Sequence, residues 1–144
     1  MQRSGSAVWR GAGKDGSGTV STPSGALKEQ PYSFKTRFES EDGRAGTNPE
    51  ELIAAAHAGC FSMATAFQLA GAGFTPEELR TEAQITMTSG AGGWSISAVK
   101  LVLRAKVPGI DDVKFQELAA NAKAGCPVSR VLNAPITLDA QLES

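Results

Sequence analysis

The stretch Gly46-Thr-Asn-Pro-Glu-Glu-Leu-Ile-Ala-Ala-Ala-His-Ala-Gly-Cys-Phe-Ser-Met63 predicts a long helix around which the rest of the chain is organised. Asn48 suits the N-cap, Pro49 fits the first helical position, and Glu51 completes a capping-box pattern. The apolar pattern continues to Ala70, which makes the predicted helix about 22 residues and roughly 33 Å long. It is apolar nearly all round, as is typical of a helix buried on most sides. One subunit of this size can hardly cover it, so the pattern predicts a partner chain.

Alternating segments on both sides of this helix predict strands. Before it, Tyr32 to Phe38 places aromatic residues on one face and Arg37 on the opposite, polar face. After it, two alternating runs separated by Gly90 to Gly93 predict a β-hairpin, the first around Ile85 and the second from Val99 to Val107. The other predicted elements are weak strands at Ala7 to Trp9 and Gly18 to Ser21, a helix capped by Asp111 and closed by Gly125, a short helix from Pro127 to Asn133, and a last strand from Ile136 to Leu142.

Length and composition indicate one ordinary domain, residues 1–144, because 144 residues with 41% apolar content can supply a single core. The net charge is −1 and both signs are interspersed, which argues against binding to nucleic acid or to an anionic membrane. The N-terminus lacks the apolar segment of a signal peptide, and no run approaches the roughly 20 apolar residues of a membrane-spanning helix. These features predict a cytoplasmic protein.

The chain has two cysteines, Cys60 on the predicted long helix and Cys126 in Lys123-Ala-Gly-Cys-Pro-Val-Ser129, at the joint between two helices. In a reducing compartment such cysteines are more often free, catalytic or redox-sensing than permanently bridged. If the two thiols meet in the fold, they can run a two-electron peroxidase cycle without a cofactor. One histidine and two cysteines fall short of the four ligands of a structural zinc site, so no metal is expected and His57 is interpreted as a core or interface residue.

A reactive Cys60 needs a nearby positive charge, because the thiolate is the nucleophile and the helix dipole acts mainly within the first turn. Arg37 is the candidate cation, and a carboxylate is needed to orient its guanidinium. Glu50 lies roughly 15 Å from Cys60 along the same helix, so it could reach this sulfur only on an antiparallel copy of the helix. Cys126, by contrast, stands at a helix start, so charge reasoning alone selects it as the first nucleophile.

Five segments carry a resemblance that runs nearly end to end. They are Gly46 to Ala64 on the long helix, Lys123 to Ser129 around the second cysteine, Gly18-Thr-Val-Ser-Thr22, Pro31 to Glu39 and Ile136-Thr-Leu-Asp139. Together they resemble the osmotically inducible protein C (OsmC) branch of the OsmC/Ohr hydroperoxide-reductase family. The two cysteine motifs together are the most specific part. His57, in place of an aromatic residue, is more similar to the OsmC branch than to the Ohr branch.

The resemblance implies an α+β fold in which antiparallel sheets pack around a long central helix, as an intertwined homodimer. It implies a peroxidase that reduces organic hydroperoxides, and hydrogen peroxide less efficiently, with electrons from a dithiol such as a lipoyl group. Cys60 matches the peroxidatic cysteine, and Cys126 the resolving one that forms an intramolecular disulfide. Arg37 matches the family arginine and Glu50 its glutamate, which leaves Glu51 as the capping residue.

Each of these residues also has a purely structural interpretation. Cys60 could be a packing residue, Arg37 a solvated residue, and Glu50 and Glu51 first-turn acids that complement the helix dipole. Two other function classes stay open. One is a non-enzymatic carrier of a small apolar ligand, in which the cysteines are incidental. The other is a thiol redox sensor or thiol-disulfide oxidoreductase acting on proteins, although the usual Cys-x-x-Cys spacing is absent.

Overall fold

The computed structural model describes residues 1–143, which form a mixed α+β fold, as predicted. The elements are β1 (Ser6–Arg10), β2 (Ser17–Ser21), β3 (Gln30–Ser33), a π-helical turn (Lys35–Glu39), α1 (Pro49–Gly71), β4 (Glu78–Gly90), β5 (Gly93–Lys106), α2 (Asp112–Gly125), α3 (Pro127–Val131) and β6 (Ile136–Glu143). The contacts of the chain divide it into two compact units, Met1–Leu52 and Ile53–Ser144. The single domain expected over residues 1–144 stays a prediction.

In the first unit, β1, β2 and β3 form an antiparallel sheet in chain order. Gly18 pairs with Trp9 on one side and with Tyr32 on the other, and the two rings tilt against each other with centroids 5.3 Å apart. A Cβ at Gly18 would lie 2.8 Å from the Trp9 ring and 2.9 Å from the Tyr32 ring, closer than real side chains approach. Glycine at position 18 is therefore what lets the two rings close over the sheet.

The strand predicted from Tyr32 to Phe38 is wrong beyond Ser33, where the chain turns into the π-helical segment. Two contacts explain the turn. Thr36 and Ser33 exchange hydrogen bonds between side chain and backbone at 2.8 and 3.2 Å, and the rings of Phe34 and Phe38 meet with centroids 5.0 Å apart. Arg37 therefore does not point away from the aromatic residues, and its guanidinium lies 4.9 Å from the centre of the Phe38 ring.

In the second unit, β4 and β5 form the predicted antiparallel hairpin. β6 pairs with β5 in parallel, with Val99 opposite Ile136 and Leu101 opposite Leu138. The expectation of antiparallel sheets is therefore wrong for this strand. The reason is that α2 and α3 carry the chain from the end of β5 back to its beginning, as a parallel pairing requires.

Helix α1 begins at Pro49 as predicted and ends one residue later than predicted, at Gly71. Its buried residues form one stripe of four, His57, Phe61, Thr65 and Leu69. Phe61 and Leu69 join the core made by β5 and α2, which includes Leu101, Leu103 and Phe115. Other apolar residues of α1 are open to solvent in the single chain, Met63 with 64% and Phe67 with 72% of its surface exposed. Within one chain, α1 is thus buried on one side only, as expected of a helix that one subunit of this size can hardly cover.

By length and composition, α1 is also apolar enough to cross a membrane, because its most apolar 18-residue window has a mean hydropathy of 1.4. The expectation that no segment reaches this apolarity is therefore wrong. The core helix of a globular protein passes the same test. The buried stripe that α1 presents to the core agrees with its being such a core helix.

The N-cap of α1 gives a direct stability test. The side-chain oxygen of Asn48 accepts a hydrogen bond from the Glu51 backbone N–H at 2.8 Å, and alanine cannot replace this acceptor. We expect Asn48→Ala to lower the free energy of unfolding, measured in urea, by about 1 kcal/mol. Asn48→Asp keeps an acceptor and should unfold like the wild type. Equal losses in the two variants would contradict the assigned cap.

Candidate active site

The two cysteines meet inside the second unit, although 66 residues separate them along the chain. Cys60 lies on α1 and Cys126 at the joint between α2 and α3. Their Sγ atoms are 3.0 Å apart, both are free thiols, and Cys126 is fully buried while Cys60 is partly exposed. A disulfide needs a sulfur separation of about 2.05 Å, so an approach of roughly 1 Å separates this pair from a bond. The arrangement is that of a reduced pair poised for oxidation.

The surroundings of Cys126 favour its thiolate. Burial, the largest single effect, raises its pKa, but hydrogen bonding from Cys60 and from Ser129 and Val128 outweighs burial and lowers the pKa below its ordinary value. The Cys126 side chain makes no short capping hydrogen bond to the first turn of α3, because hydrogen bonds to sulfur are long and weak. The Ser129 hydroxyl and the N–H groups of α3 nevertheless lie close enough to stabilise a negative charge on this sulfur.

The surroundings of Cys60 favour its thiol. Burial raises the pKa of Cys60, the hydrogen bond and negative charge of Cys126 raise it further, and the Val128 backbone N–H only partly opposes them. With both thiols protonated, Cys126 donates to Cys60; after loss of one proton, the Cys126 sulfur becomes the acceptor. Within the second unit the pair therefore holds its first negative charge on Cys126, and the groups of that unit around Cys60 do not activate it.

The third member of this cluster is His57, which lies on the buried stripe of α1. Its Nε2 lies 2.7 Å from the Ser129 Oγ, whereas its buried Nδ1 has no hydrogen-bond partner among the described residues. Burial lowers the pKa of His57. The sequence interpretation of His57 as a core residue did not include this contact, and Ser129 was not singled out at all. A short polar residue one turn after the second cysteine was the available signal.

The other two predicted site residues pair in the first unit. The Arg37 guanidinium contacts the Glu50 carboxylate through Nη2 at 2.7 Å and Nε at 3.1 and 3.3 Å, a two-pronged geometry that fixes the guanidinium plane. Glu51, its neighbour, accepts instead from the Thr47 hydroxyl at 2.9 Å. The Glu51 side chain thus contacts Thr47 and not the Asn48 backbone N–H that the predicted capping box would use, and the roles of Arg37 and Glu50 in catalysis stay predictions. The meeting of the Arg37 pair with the thiols in one site stays a proposal.

The site holds no set of residues suited to a metal ion: among residues 1–143, no cluster of three or more His, Cys, Asp or Glu side chains could hold one.

Comparisons with known proteins place these features in a family. The model of the OsmC-like proteins matches residues 40–141. A curated protein of Escherichia coli K12 named peroxiredoxin OsmC is 52% identical over 144 residues, covering 100% of this chain and 99% of the relative. The organic hydroperoxide resistance protein of Xanthomonas axonopodis is 33% identical over 101 residues, which cover 67% of this chain and 68% of that relative. The crystal structure of the resistance protein OhrB of Bacillus subtilis shares the fold. The match has a TM-score of 0.70 at 24% identity and covers 96% of this chain and 98% of the OhrB chain.

The burial of His57 predicts a pH dependence of stability with a definite sign. Because its pKa is lowered in the folded state, the unfolded chain binds more protons as the pH falls below about 6.5, so acid destabilises the fold. His57 is the single histidine of the chain, so NMR titration of one imidazole measures its pKa directly. We expect the loss of unfolding free energy between pH 7.5 and 5.5 to shrink in His57→Gln. An unchanged pH dependence in this variant would contradict the prediction.

Proposed function

The chain belongs to the OsmC-like protein family, and on this premise we propose that it is a thiol peroxidase that reduces organic hydroperoxides and, more weakly, hydrogen peroxide. The observation that carries the proposal is the 3.0 Å separation of two free thiols that come from distant parts of the chain. A lone buried cysteine is usually a packing residue, whereas a second thiol at this distance supplies a resolving partner. The names of the curated relatives support a peroxide-related redox function.

The proposed cycle uses the two sulfurs in turn. The Cys60 thiolate attacks the distal peroxide oxygen, so that an S–O bond forms as the O–O bond breaks, and the alkoxide takes up a proton and leaves as an alcohol. The Cys126 sulfur then attacks the Cys60 sulfur. The S–S bond forms, the S–O bond breaks, and hydroxide takes up a proton and leaves as water. The peroxide gains two electrons and each sulfur supplies one.

The cycle closes when a dithiol reduces the Cys60–Cys126 disulfide by thiol–disulfide exchange. A dithiol such as a lipoyl group suits this step, because its second thiol displaces the mixed disulfide without a further partner. No other cofactor is required, and a cytoplasmic location provides the reducing surroundings that the cycle needs.

Activation of Cys60 requires positive charge from outside its own surroundings. Within one chain the pKa of Cys60 is raised, chiefly by burial, so the peroxidatic role assigned by family membership needs a cation near its sulfur. Arg37 is suited to this role, because Glu50 already holds its guanidinium in a fixed plane and the pair is only partly exposed. We assign this pair to the thiols of a second copy of the chain.

A homodimer gives Arg37 a thiol to act on and gives the exposed apolar side of α1 a surface to pack against. Met63 and Phe67 lie one turn apart on the exposed side of α1, and an interface that buries them is favourable. A second copy brings the same surface to meet it, since a twofold interface uses one patch on both subunits. The same approach carries the Arg37–Glu50 pair of one chain toward the thiols of the other.

Counting thiols tests the activity and its two alternatives. One equivalent of an organic hydroperoxide should remove both thiols of each chain, and dihydrolipoamide should restore them more readily than a monothiol. Cys60→Ser should abolish peroxide reduction, whereas Cys126→Ser should complete one turnover and stall as a sulfenic acid. A thiol count unaffected by hydroperoxide would favour the apolar-ligand carrier, and oxidation without repeated turnover would favour a redox sensor. Retained activity in Cys60→Ser, with a sulfenic acid on Cys126, would reverse the two roles.

Arginine variants test the activation of Cys60. Arg37→Ala should raise the pKa of Cys60 and slow the peroxide step about threefold for each pKa unit, because a tenfold loss of thiolate is partly offset by greater nucleophilicity. Arg37→Lys should rescue poorly because it lacks the planar fork. Glu50→Gln should also raise the pKa of Cys60 and slow the peroxide step, but by less than Arg37→Ala. Glu51→Gln is the matched control and should leave the Cys60 pKa unchanged, because the Glu51 side chain contacts Thr47 and not Arg37. The pKa is read from the pH dependence of alkylation in a Cys126→Ser background.

Mixing a slowed variant with an inactive one tests whether the site is shared. A 1:1 mixture of Arg37→Ala and Cys60→Ser chains, refolded together, should regain about a quarter of wild-type activity, because half of the twofold dimers are mixed and each contains one intact site. If Arg37 serves the cysteine of its own chain, no activity beyond that of Arg37→Ala returns. Sedimentation of the wild type should show a dimer at micromolar concentration, and a fully active monomer would refute the shared site.

A further inference from the structure

The contact between His57 and Ser129 links helix α1 to the second cysteine. The His57 ring is fully buried, and its Nε2 lies 2.7 Å from the Ser129 Oγ, which is itself 9% exposed. Ser129 lies on the first turn of α3, for which Cys126 is the N-cap residue. Ser129 thus lies three residues after Cys126, where it favours the Cys126 thiolate, and the Cys126 sulfur lies 3.0 Å from that of Cys60.

We propose that His57 is a positioning residue that acts through Ser129, holding the Ser129 hydroxyl turned toward the Cys126 sulfur so that this sulfur attacks oxidised Cys60. The inference rests on the proposed function for the step it serves, but its physical content is a hydrogen-bonded arrangement in the reduced protein. His57 transfers no proton in this scheme. The Cys126 lone pair forms the S–S bond, and the Cys60 S–O bond breaks to release hydroxide, which takes up a proton and leaves as water.

The unpaired Nδ1 of His57 decides the direction of these hydrogen bonds. If Nδ1 carried the proton, a buried N–H would have no acceptor, and the Ser129 proton would point to Nε2 and away from sulfur. If Nε2 carries it, the imidazole donates to the Ser129 oxygen and the Ser129 proton is free to point to Cys126. Nδ1 is unpaired in both arrangements, but a buried acceptor without a donor costs less than a buried N–H without an acceptor, which favours the proton on Nε2. This arrangement also agrees with a neutral His57, whose pKa is lowered by burial.

The nearby cations do not offer a competing explanation. Among the described residues, the groups that shift the pKa of Cys126 are Cys60, Val128 and Ser129, together with burial, and none of them is a cation. Lys123, at the end of α2, directs its ammonium to the Ile136 carbonyl at 3.1 Å. The stabilisation of a Cys126 thiolate thus depends on neutral donors, of which the Ser129 hydroxyl is the one whose direction another side chain controls.

Two matched pairs of variants test this arrangement. In a Cys60→Ser background, Cys126 is the sole thiol, and NMR of isotope-labelled cysteine measures its pKa without peroxide. We expect Ser129→Ala to raise this pKa by about one unit, as loss of one hydrogen bond to a charge implies, and Ser129→Thr to restore it. His57→Leu, which removes the donor, should raise it similarly. His57→Gln, whose amide can donate near the Nε2 position, should raise it less.

The kinetic consequence is measured with both cysteines present. After the peroxide step, disulfide formation in Ser129→Ala should slow by about threefold, because a tenfold loss of thiolate is partly offset by the greater nucleophilicity of a more basic sulfur. The rate at which Cys60 is oxidised should stay unchanged. A role in stability alone would lower the melting temperature and leave the pKa where it was.

The outcomes separate the two proposals. An unchanged Cys126 pKa in folded Ser129→Ala overturns the positioning role, whether or not the chain reduces hydroperoxides. A raised pKa that Ser129→Thr restores supports the role, even in a chain that proves inactive toward every hydroperoxide and so loses the proposed function. If His57→Leu does not fold, the two Ser129 variants still decide whether the hydroxyl acts on Cys126, and His57→Gln decides whether position 57 controls it.

Discussion

The burial of one stripe of α1 is the constraint on which the second unit depends. His57, Phe61, Thr65 and Leu69 recur every fourth residue and face the core built from β5 and α2. Thr65 meets the cost of its buried hydroxyl by donating to the Phe61 carbonyl at 2.8 Å. This stripe fixes the rotation of the helix about its axis, and so fixes where Cys60 points. The sulfur then lies at the edge of the core, within reach of a second sulfur from a distant segment.

The same burial creates an electrostatic problem that the fold solves unequally for the two thiols. Removing a thiolate from water raises the pKa of both sulfurs. The pKa of Cys126 is nevertheless lowered, because Cys126 stands at the start of α3, where N–H groups and the Ser129 hydroxyl stabilise its thiolate. Cys60 lies in the middle of a helix, where its neighbouring backbone N–H groups are already bonded within the helix. A peroxidatic role for Cys60 therefore asks for a cation that its own surroundings do not provide.

The Arg37–Glu50 pair and the exposed apolar side of α1 both favour a partner chain. A guanidinium held by two-pronged contact with a carboxylate has lost much of its freedom before any substrate arrives. That order is useful only if the guanidinium has something to act on. The apolar side of α1, exposed in the single chain, likewise needs a partner surface. One second copy of the chain satisfies both needs, which is why the proposed dimer belongs to the mechanism and not only to the packing.

The sequence by itself determined the elements whose signals are local. The N-cap and apolar run fixed α1 to within one residue, and Asp111 capped α2 through the Lys114 N–H as its position implied. Alternation located the β4–β5 hairpin, and the two cysteine motifs indicated the two thiols that the fold brings together. Local periodicity misassigned residues 34–38, because the rings of Phe34 and Phe38 meet across a turn that Ser33 and Thr36 stabilise.

Only the tertiary structure decided the contacts between segments far apart in the chain. The parallel pairing of β6 with β5, the 3.0 Å approach of Cys60 and Cys126, and the bond between His57 and Ser129 all join residues separated by dozens of positions. Periodicity tells which face of an element is buried but not which partner lies against it. That choice follows from how the stripe of α1 and the crossover through α2 and α3 fill one core, because packing and hydrogen bonding must be satisfied there together.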